Sequence, residues 1–344
     1  MDSNYIKKLK AIFVIVILIS AIIGMWVAFY IPMMAKHNHA ETIIDNANQS
    51  HPEKIRIQPN ICPKEKGEVN IVLITDSRYT PPTMVAMSSA IKNKCPNSIY
   101  NFYIVAENIT PQDANALMTQ KELAPDTVNI TLIPQEEPDL PYENMQRFLQ
   151  YKVGMHKIYL PTILKNIDKV IYMDGDTLVL KDLRPLFDTD VSDVYAAVAK
   201  DGIYYRFPKE MAEMGLDKRG FYFNSGVMLY NLKLQRQDNI VNKLVEYIKT
   251  HTDFYGDQDV LNVVFGDKLK LMSYRYNCIS TFFEADDLNF LSNYFGEALP
   301  KETFYIYENA TVLHYAGDKP WAEDYKPDYL KELWFRYYND LKGY

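Results

Sequence analysis

The sequence predicts an α/β fold with a mostly parallel central sheet, preceded by a single transmembrane helix. Three observations carry this. Apolar runs of strand length, beginning with residues 69–74 and 99–106, alternate with segments of helical length through the first half of the chain. A further run, residues 170–173, ends in two carboxylates one residue apart, Asp174 and Asp176. Near the amino terminus, residues 11–31 form an uncharged, mostly apolar stretch of 21 residues, long enough to cross a bilayer as a helix.

Lys7, Lys8 and Lys10 precede that stretch, so the positive-inside rule makes residues 1–10 a short cytoplasmic tail, 11–31 an anchor, and everything later the far side of the membrane. A cleaved signal peptide would have a shorter apolar region ending in small residues, whereas this one runs into Ile31, Pro32, Met33 and Met34. Residues 32–67 are polar and aperiodic, the composition of a stem, and residues 68–344 are long enough for one large domain. Asn-x-Ser/Thr acceptor triplets stand at Asn48, Asn108, Asn129 and Asn309 and give mild support to a secretory lumen. Cys62, Cys95 and Cys278 allow at most one internal disulfide, their spacing matches no metal motif, and three buried thiols are an equal alternative. A net charge of −7 with mixed signs argues against a nucleic-acid partner.

The elements come in a regular order. Residues 69–74 are a buried first strand ending at Thr75 and Asp76, and Pro81 and Pro82 open a helix to about residue 94. Strand 99–106, helix 111–123, strand 128–133 and helix 151–163 lead to the strand that carries the acidic pair. Strands at 194–198 and 226–231 and a helix at 240–249 come next, in a half that is more irregular and aromatic. No repeat, coiled coil or low-complexity tract interrupts them.

In open α/β sheets ligands bind beyond the carboxyl ends of the strands, where Asp76, the acidic pair and Asp201 all fall. Strand side chains repeat every two residues, so Asp174 and Asp176 converge, with Gly175 sparing room between them. Such triplets also occur in ordinary turns. Here apolar residues lie on both sides, and buried unpaired carboxylates are costly, so a hard cation such as Mg²⁺ or Mn²⁺ carrying substrate phosphates is the better account.

Five segments in order, NIVLITDSRY at 70–79, the acidic-pair strand, FNSGVMLYNL at 223–232, GDQDVLN at 256–262 and HYAGDKPW at 314–321, resemble the retaining glycosyltransferases of family 8. That family contains lipopolysaccharide galactosyl- and glucosyltransferases, glycogenin and animal xylosyltransferases, and its members share the GT-A nucleotide-diphospho-sugar transferase fold. The resemblance implies that Asp174, Asp176 and His314 hold a divalent cation, Mn²⁺ or Mg²⁺, and that Gly317 and Lys319 meet the diphosphate of a UDP-sugar. It implies that Thr75, Asp76, Arg78 and Tyr79 surround the nucleoside, with Asp76 on the uracil and Tyr79 stacked on it, and that Gly175 lies with the acidic pair. Lys157 stands where relatives carry an arginine and loses its bidentate fork. His156 beside it reads as an exposed helix residue. Asn224, Asp257 and Gln258 are implied around the transferred sugar, with Asp201 near donor and acceptor; Asp259 reads as a cap or brace of the turn, and Trp321 as packing or acceptor-side surface.

The same resemblance implies a metal-dependent transfer of glucose, galactose or xylose from a UDP-sugar to a hydroxyl of a glycan, glycoprotein or glycolipid. No free carboxylate pair suits a double-displacement mechanism, so a same-face reaction is expected. The loops at 134–150, 202–220 and 281–305 are expected to shape the acceptor site. Two other classes compete: a catalytically silent, membrane-anchored carbohydrate-binding protein, and a metal-dependent phosphohydrolase. The anchor implies a Golgi or endoplasmic reticulum lumen in a eukaryote and the inner membrane in a bacterium.

Overall fold

The computed structural model describes residues 55–142, 149–252 and 256–341. The expected tail and anchor, and the stem as far as residue 54, lie outside them. Among the described residues no helix is long and apolar enough to cross a membrane.

Among the described residues ten strands form two sheets: β1 Gly67–Thr75, β2 Ser98–Glu107, β3 Val128–Gln135, β4 Lys169–Met173, β5 Thr177–Val179, β6 Ala196–Lys200, β7 Phe223–Asn231, β8 Leu269–Leu271, β9 Cys278–Ile279 and β10 Val312–His314. The large sheet has the order β3-β2-β1-β4-β7-β6-β8, in which β7 alone runs antiparallel to its neighbours. A small sheet, β5-β10-β9, pairs β10 antiparallel to β5 and parallel to β9. The α/β class with a mostly parallel sheet is therefore the observed one.

Alternation along β1 explains the layering. Val72 and Ile74 point into one core with Ile158, Leu160, Leu244 and Val260, while Val69, Ile71 and Leu73 point into another with Met84, Met87, Phe102 and Ile104. Helix Thr80–Asn93 covers the second face, and helices His156–Ile163, Ile240–Thr250 and Asp257–Phe265 cover the first. Each fully buried aliphatic side chain contributes roughly 1.5–3 kcal/mol, so both faces hold the strands flat against their helices. β7 is buried along its whole length, which is why its sequence shows no alternation.

Several boundaries differ from the expected ones. The helix expected at 111–123 is an α-helix, Pro111–Thr119, capped by a Thr110–Asp113 capping box and followed by a 3₁₀ turn, Gln120–Leu123. That expected at 151–163 is a 3₁₀ stretch, Leu149–Met155, containing Gly154, and only then an α-helix. β6 begins two residues later than expected, because Val194 and Tyr195 turn the chain in from a loop.

The expected stem is also shorter. Ile55 is buried in the core of the small sheet, the Arg56 amide donates to Glu308 at 2.9 Å, and Cys62 forms a disulfide with Cys95. From residue 55 the chain is thus fastened to the body. Cys278 is the buried free thiol. Asn129, an acceptor triplet residue, instead joins an amide ladder across neighbouring strands, donating to Asn101, which donates to Asn70.

Candidate active site

The acidic triplet is the link between the two sheets. Asp174 follows the last residue of β4 and donates its amide to Gly226 of β7 at 2.7 Å, while Asp176 precedes the first residue of β5. Because β5 runs antiparallel to β10, Thr177 lies opposite His314, and the Tyr315 amide donates to the Asp176 carbonyl at 3.1 Å. A residue far away in sequence is delivered to the carboxylates by one strand pairing. Gly175 is required here, though not for room between the carboxylates: a Cβ would lie 2.7 Å from Thr83 Oγ1 on the helix packed beneath.

Ligand atoms of Asp174, Asp176 and His314 lie within 4.8 Å of one another. His314 Nε2 is 3.4 Å from Asp176 Oδ1 and 3.7 Å from Asp174 Oδ2. Asp176 Oδ1 is buried and has no hydrogen-bond partner among the described residues, which is costly unless a cation takes it. Two carboxylates and an imidazole suit Mn²⁺ or a similar borderline cation. These residues fit a divalent metal.

Charge in the site is arranged by two lysines. Lys319 pairs with Asp176 Oδ2 and donates to the Tyr315 carbonyl. Burial opposes ionisation of Asp176, but Lys319 and His314 outweigh it and hold the carboxyl well below the usual range. Lys157 is fully buried between Asp257 at 2.9 Å and Asp174 at 3.1 Å, with Ser225 Oγ at 3.2 Å. Burial opposes its charge, and the two carboxylates override it, raising its pKa. Asp174 is further fixed by the Tyr172 hydroxyl.

Beyond Lys157 lies a hydrogen-bonded group from three elements. Gln258, in the first turn of helix Asp257–Phe265, accepts from the Ser225 amide at 3.0 Å and donates to Asp201 Oδ2 at 3.1 Å. Asn224 donates to the same oxygen at 2.9 Å, and the Ile203 amide donates to Asp201 Oδ1 at 2.8 Å. Burial raises the pKa of Asp201 in spite of these donors. Asp259 accepts from the buried Tyr222 hydroxyl and so braces the turn.

A cavity of about 610 Å³ joins these groups. Its wall includes Arg78, Tyr79, Lys157, Asp174, Gly175, Asp176, Asn224, Asp257, Gln258, His314, Gly317 and Lys319, so most of the residues expected from sequence do face one space. Thr75, Asp76 and Asp201 are not on the wall. Thr75 is a brace: its buried hydroxyl bonds the Asp76 carbonyl and accepts from Thr83. Asp76 is engaged by the Arg78 guanidinium at 2.7 Å and by the Tyr79 amide at 3.0 Å. Asp201 acts on the wall through Asn224 and Gln258. Trp321 packs edge-on against Tyr79 and at a tilt against Trp334. His156 is buried, contrary to expectation, because Glu107 at the end of β2 receives it at 2.8 Å.

Some wall residues carry no signal in the sequence. Ile203, Phe207, Met211 and Met214 form an apolar side that lies within the loop expected at 202–220, where nothing singles them out. Ser225 stands unmarked inside a motif. Tyr172 is the one its place could have found, since it stands near the end of β4, two residues before Asp174.

Comparison with known proteins agrees with this geometry. The model of the family described as glycosyl transferase family 8 matches residues 70–325. General stress protein A of Bacillus subtilis is 31% identical over 198 residues, covering 56% of this chain and 66% of that protein. Glycosyltransferase GlyF of Streptococcus pneumoniae is 27% identical over 278 residues, covering 78% and 61%, so the chain spans somewhat under two thirds of the length of these relatives. The lipopolysaccharide 1,2-glucosyltransferase of Escherichia coli is 25% identical over 280 residues, covering 78% of this chain and 79% of that one. Among solved structures, galactosyltransferase LgtC in complex with donor and acceptor sugar analogs superposes with a TM-score of 0.65 at 24% identity, covering 80% of this chain and 96% of that one, which shows a GT-A-like fold.

Proposed function

This chain belongs to glycosyl transferase family 8, and from that premise we propose that it is a metal-dependent, retaining hexosyl- or pentosyltransferase. It moves glucose, galactose or xylose from a UDP-sugar to a hydroxyl of a glycan, glycoprotein or glycolipid. The observation that carries this reading is the buried, unpartnered Asp176 Oδ1 beside His314 and Asp174, opening on a cavity large enough for a nucleotide sugar. A divalent cation held there supplies counter-charge to the diphosphate leaving group.

The chain's own residues do the rest. Lys319 lies within reach of the diphosphate position and exchanges its pairing with Asp176 for phosphate oxygens. Tyr79 and Arg78 line the nucleoside end of the cavity. On the sugar side, Asp257 presents a carboxylate to hydroxyls, and Lys157 keeps it ionised and oriented. Gln258, tied at both ends of its amide, fixes the shape of the wall at the reacting carbon. Asp174 and Asp176 are taken up as cation ligands, and Asp257 and Asp201 are engaged by Lys157, Asn224 and Gln258, which favours entry of the acceptor on the face the diphosphate leaves. Preorganisation and electrostatics then supply most of the rate.

As part of the same reading, residues 11–31 anchor the protein as a single-pass type II membrane protein, with its catalytic domain in a Golgi or endoplasmic reticulum lumen in a eukaryote or held at the inner membrane in a bacterium. The test takes the full-length protein with Mn²⁺ and a panel of UDP-sugars, following UDP release with and without glycan acceptors. Metal-dependent release from one donor, abolished in Asp174→Asn and Asp176→Asn, is the expected result. Folded protein that neither releases UDP nor binds it in a Mn²⁺-dependent way would overturn the proposal.

A further inference from the structure

Asn277 lies outside every motif in the sequence, yet it is buried and touches the metal-ligand histidine. It ends the 3₁₀ turn Tyr274–Tyr276 and immediately precedes β9, the strand that flanks β10 in the small sheet. That placement sets its side chain beside His314, with Oδ1 2.8 Å from His314 Nδ1.

The direction of this hydrogen bond is settled by backbone groups elsewhere. The Gly226 amide can only donate, and it lies 2.9 Å from Asn224 Oδ1, which makes that atom the carbonyl oxygen of the Asn224 side chain. Asn224 Nδ2 accordingly donates to Asp201 Oδ2 at 2.9 Å. Asn277 Nδ2 lies 2.9 Å from the same Asn224 Oδ1, and turning the Asn277 amide over would set two oxygens against each other. Asn277 therefore presents its oxygen to His314, and an oxygen facing Nδ1 requires a proton on Nδ1. In the neutral imidazole the lone pair is then on Nε2, the nitrogen facing Asp174 and Asp176.

We propose that Asn277 is a positioning residue that holds His314 in the Nδ1-protonated tautomer, through a relay anchored at Asp201 and the Gly226 amide, so that Nε2 is ready to bind a divalent cation. The proposal rests on the reading of Asp174, Asp176 and His314 as a metal site. It also gives Asn224 and Asp201 a task apart from sugar contact: they join the sugar-side wall to the metal side by an unbroken line of hydrogen bonds. Supports of this kind change metal affinity by about 10–100-fold when removed.

The experiment uses full-length protein, with Mn²⁺ titrated by calorimetry and by electron paramagnetic resonance, and with histidine ring nitrogens observed by ¹⁵N NMR in the metal-free state. A His314→Gln variant identifies the His314 signals. Wild type is expected to show protonated Nδ1 and bare Nε2. Asn277→Leu is expected to lose about 10–100-fold in Mn²⁺ affinity and to show mixed tautomers. Asn277→Asp keeps an acceptor for Nδ1–H but sets an oxygen against Asn224 Oδ1, so it is expected to keep the Nδ1-protonated tautomer and to lose less Mn²⁺ affinity than Asn277→Leu, the partial rescue that a role confined to packing would not give. A neutral His314 protonated on Nε2 instead of Nδ1 in wild type, unchanged affinity in a folded Asn277→Leu protein, or an affinity loss in Asn277→Asp as large as about 100-fold would overturn the proposal. If Asn277→Leu does not fold, the wild-type tautomer and Asn277→Asp decide. Wild type that binds no Mn²⁺ would overturn the metal site itself, which is a separate and visible failure.

Discussion

The two sides of the cavity are built differently. On the metal side, Asp176 Oδ1 is buried without a partner and His314 Nε2 faces two carboxylates at 3.4 and 3.7 Å, distances too long for hydrogen bonds of normal strength. On the sugar side, Lys157, Ser225, Asn224, Gln258 and Asp201 use their polar atoms on one another. The first region is held short of its own electrostatic minimum and gains most from a ligand. The second is saturated and keeps its shape without one. Receiving charge and holding shape are thus assigned to adjacent but distinct groups, with Lys157 as the hinge because it touches a carboxylate of each.

That contrast is easiest to break at Asp176. Asp176→Asn removes a cation ligand, and both Mn²⁺ affinity and kcat/KM should fall, the latter by about a thousandfold, the upper scale for loss of one preorganised electrostatic group. Retained turnover would mean that the metal side does not receive the ligand. Lys157→Met should instead act on the fold: Asp174 and Asp257 would face each other across a buried site with no cation between them, at a cost of about 3 kcal/mol in a denaturant titration. The same lysine carries a pH signature. Its folded pKa is raised above the ordinary 10.5, so its stabilisation is complete below that value and is lost as pH rises toward the folded pKa. Wild type should lose stability with pH above 10.5 more steeply than Lys157→Met does.

A smaller effect sharpens the boundary between the regions. At Gly226 a Cβ would lie 2.1 Å from His314 Cε1 and 2.8 Å from Asp174 Oδ2. Gly226→Ala should therefore displace a ligand and weaken Mn²⁺ binding by about a hundredfold, although Gly226 is on the strand that carries the sugar-side residues. The smallest effect is expected at Thr75. Thr75→Val should cost under about 1.5 kcal/mol of stability and leave the KM for the nucleotide sugar unchanged, since its hydroxyl serves the backbone and Thr83. A raised KM would place it back among the nucleotide contacts.

Much of this arrangement is legible along the chain. Parallel strands buried on one or both faces show as apolar runs, so β1 to β4 and the helices between them can be found within a few residues. The acidic pair is legible as two carboxylates one residue apart at the end of an apolar run, although they converge in the turn between β4 and β5 and not by strand period as expected. The second half is harder for a physical reason: β7 is wholly buried and shows no alternation, and β5, β8, β9 and β10 are two or three residues long, too short to show a period. His156 reads as exposed from its sequence because helical position gives no hint of a buried glutamate on another strand. The fastening of residues 55–66 is invisible there because a polar segment looks the same whether it floats or is stapled by Cys62 to Cys95.

By itself, the sequence determined the α/β class, the order of the early elements, the carboxylates that converge, and, through five motifs in order, the family. Those properties are local, set by period, charge and short spacing. Only the tertiary structure decided which atoms of the site are satisfied and which are left waiting. The pairing of β5 with β10 brings His314 to Asp176, and β9 brings Asn277 to His314. Hydrogen bonds between residues tens of positions apart then fix each amide and imidazole. Such choices depend on which strands become neighbours, and no single segment contains that information.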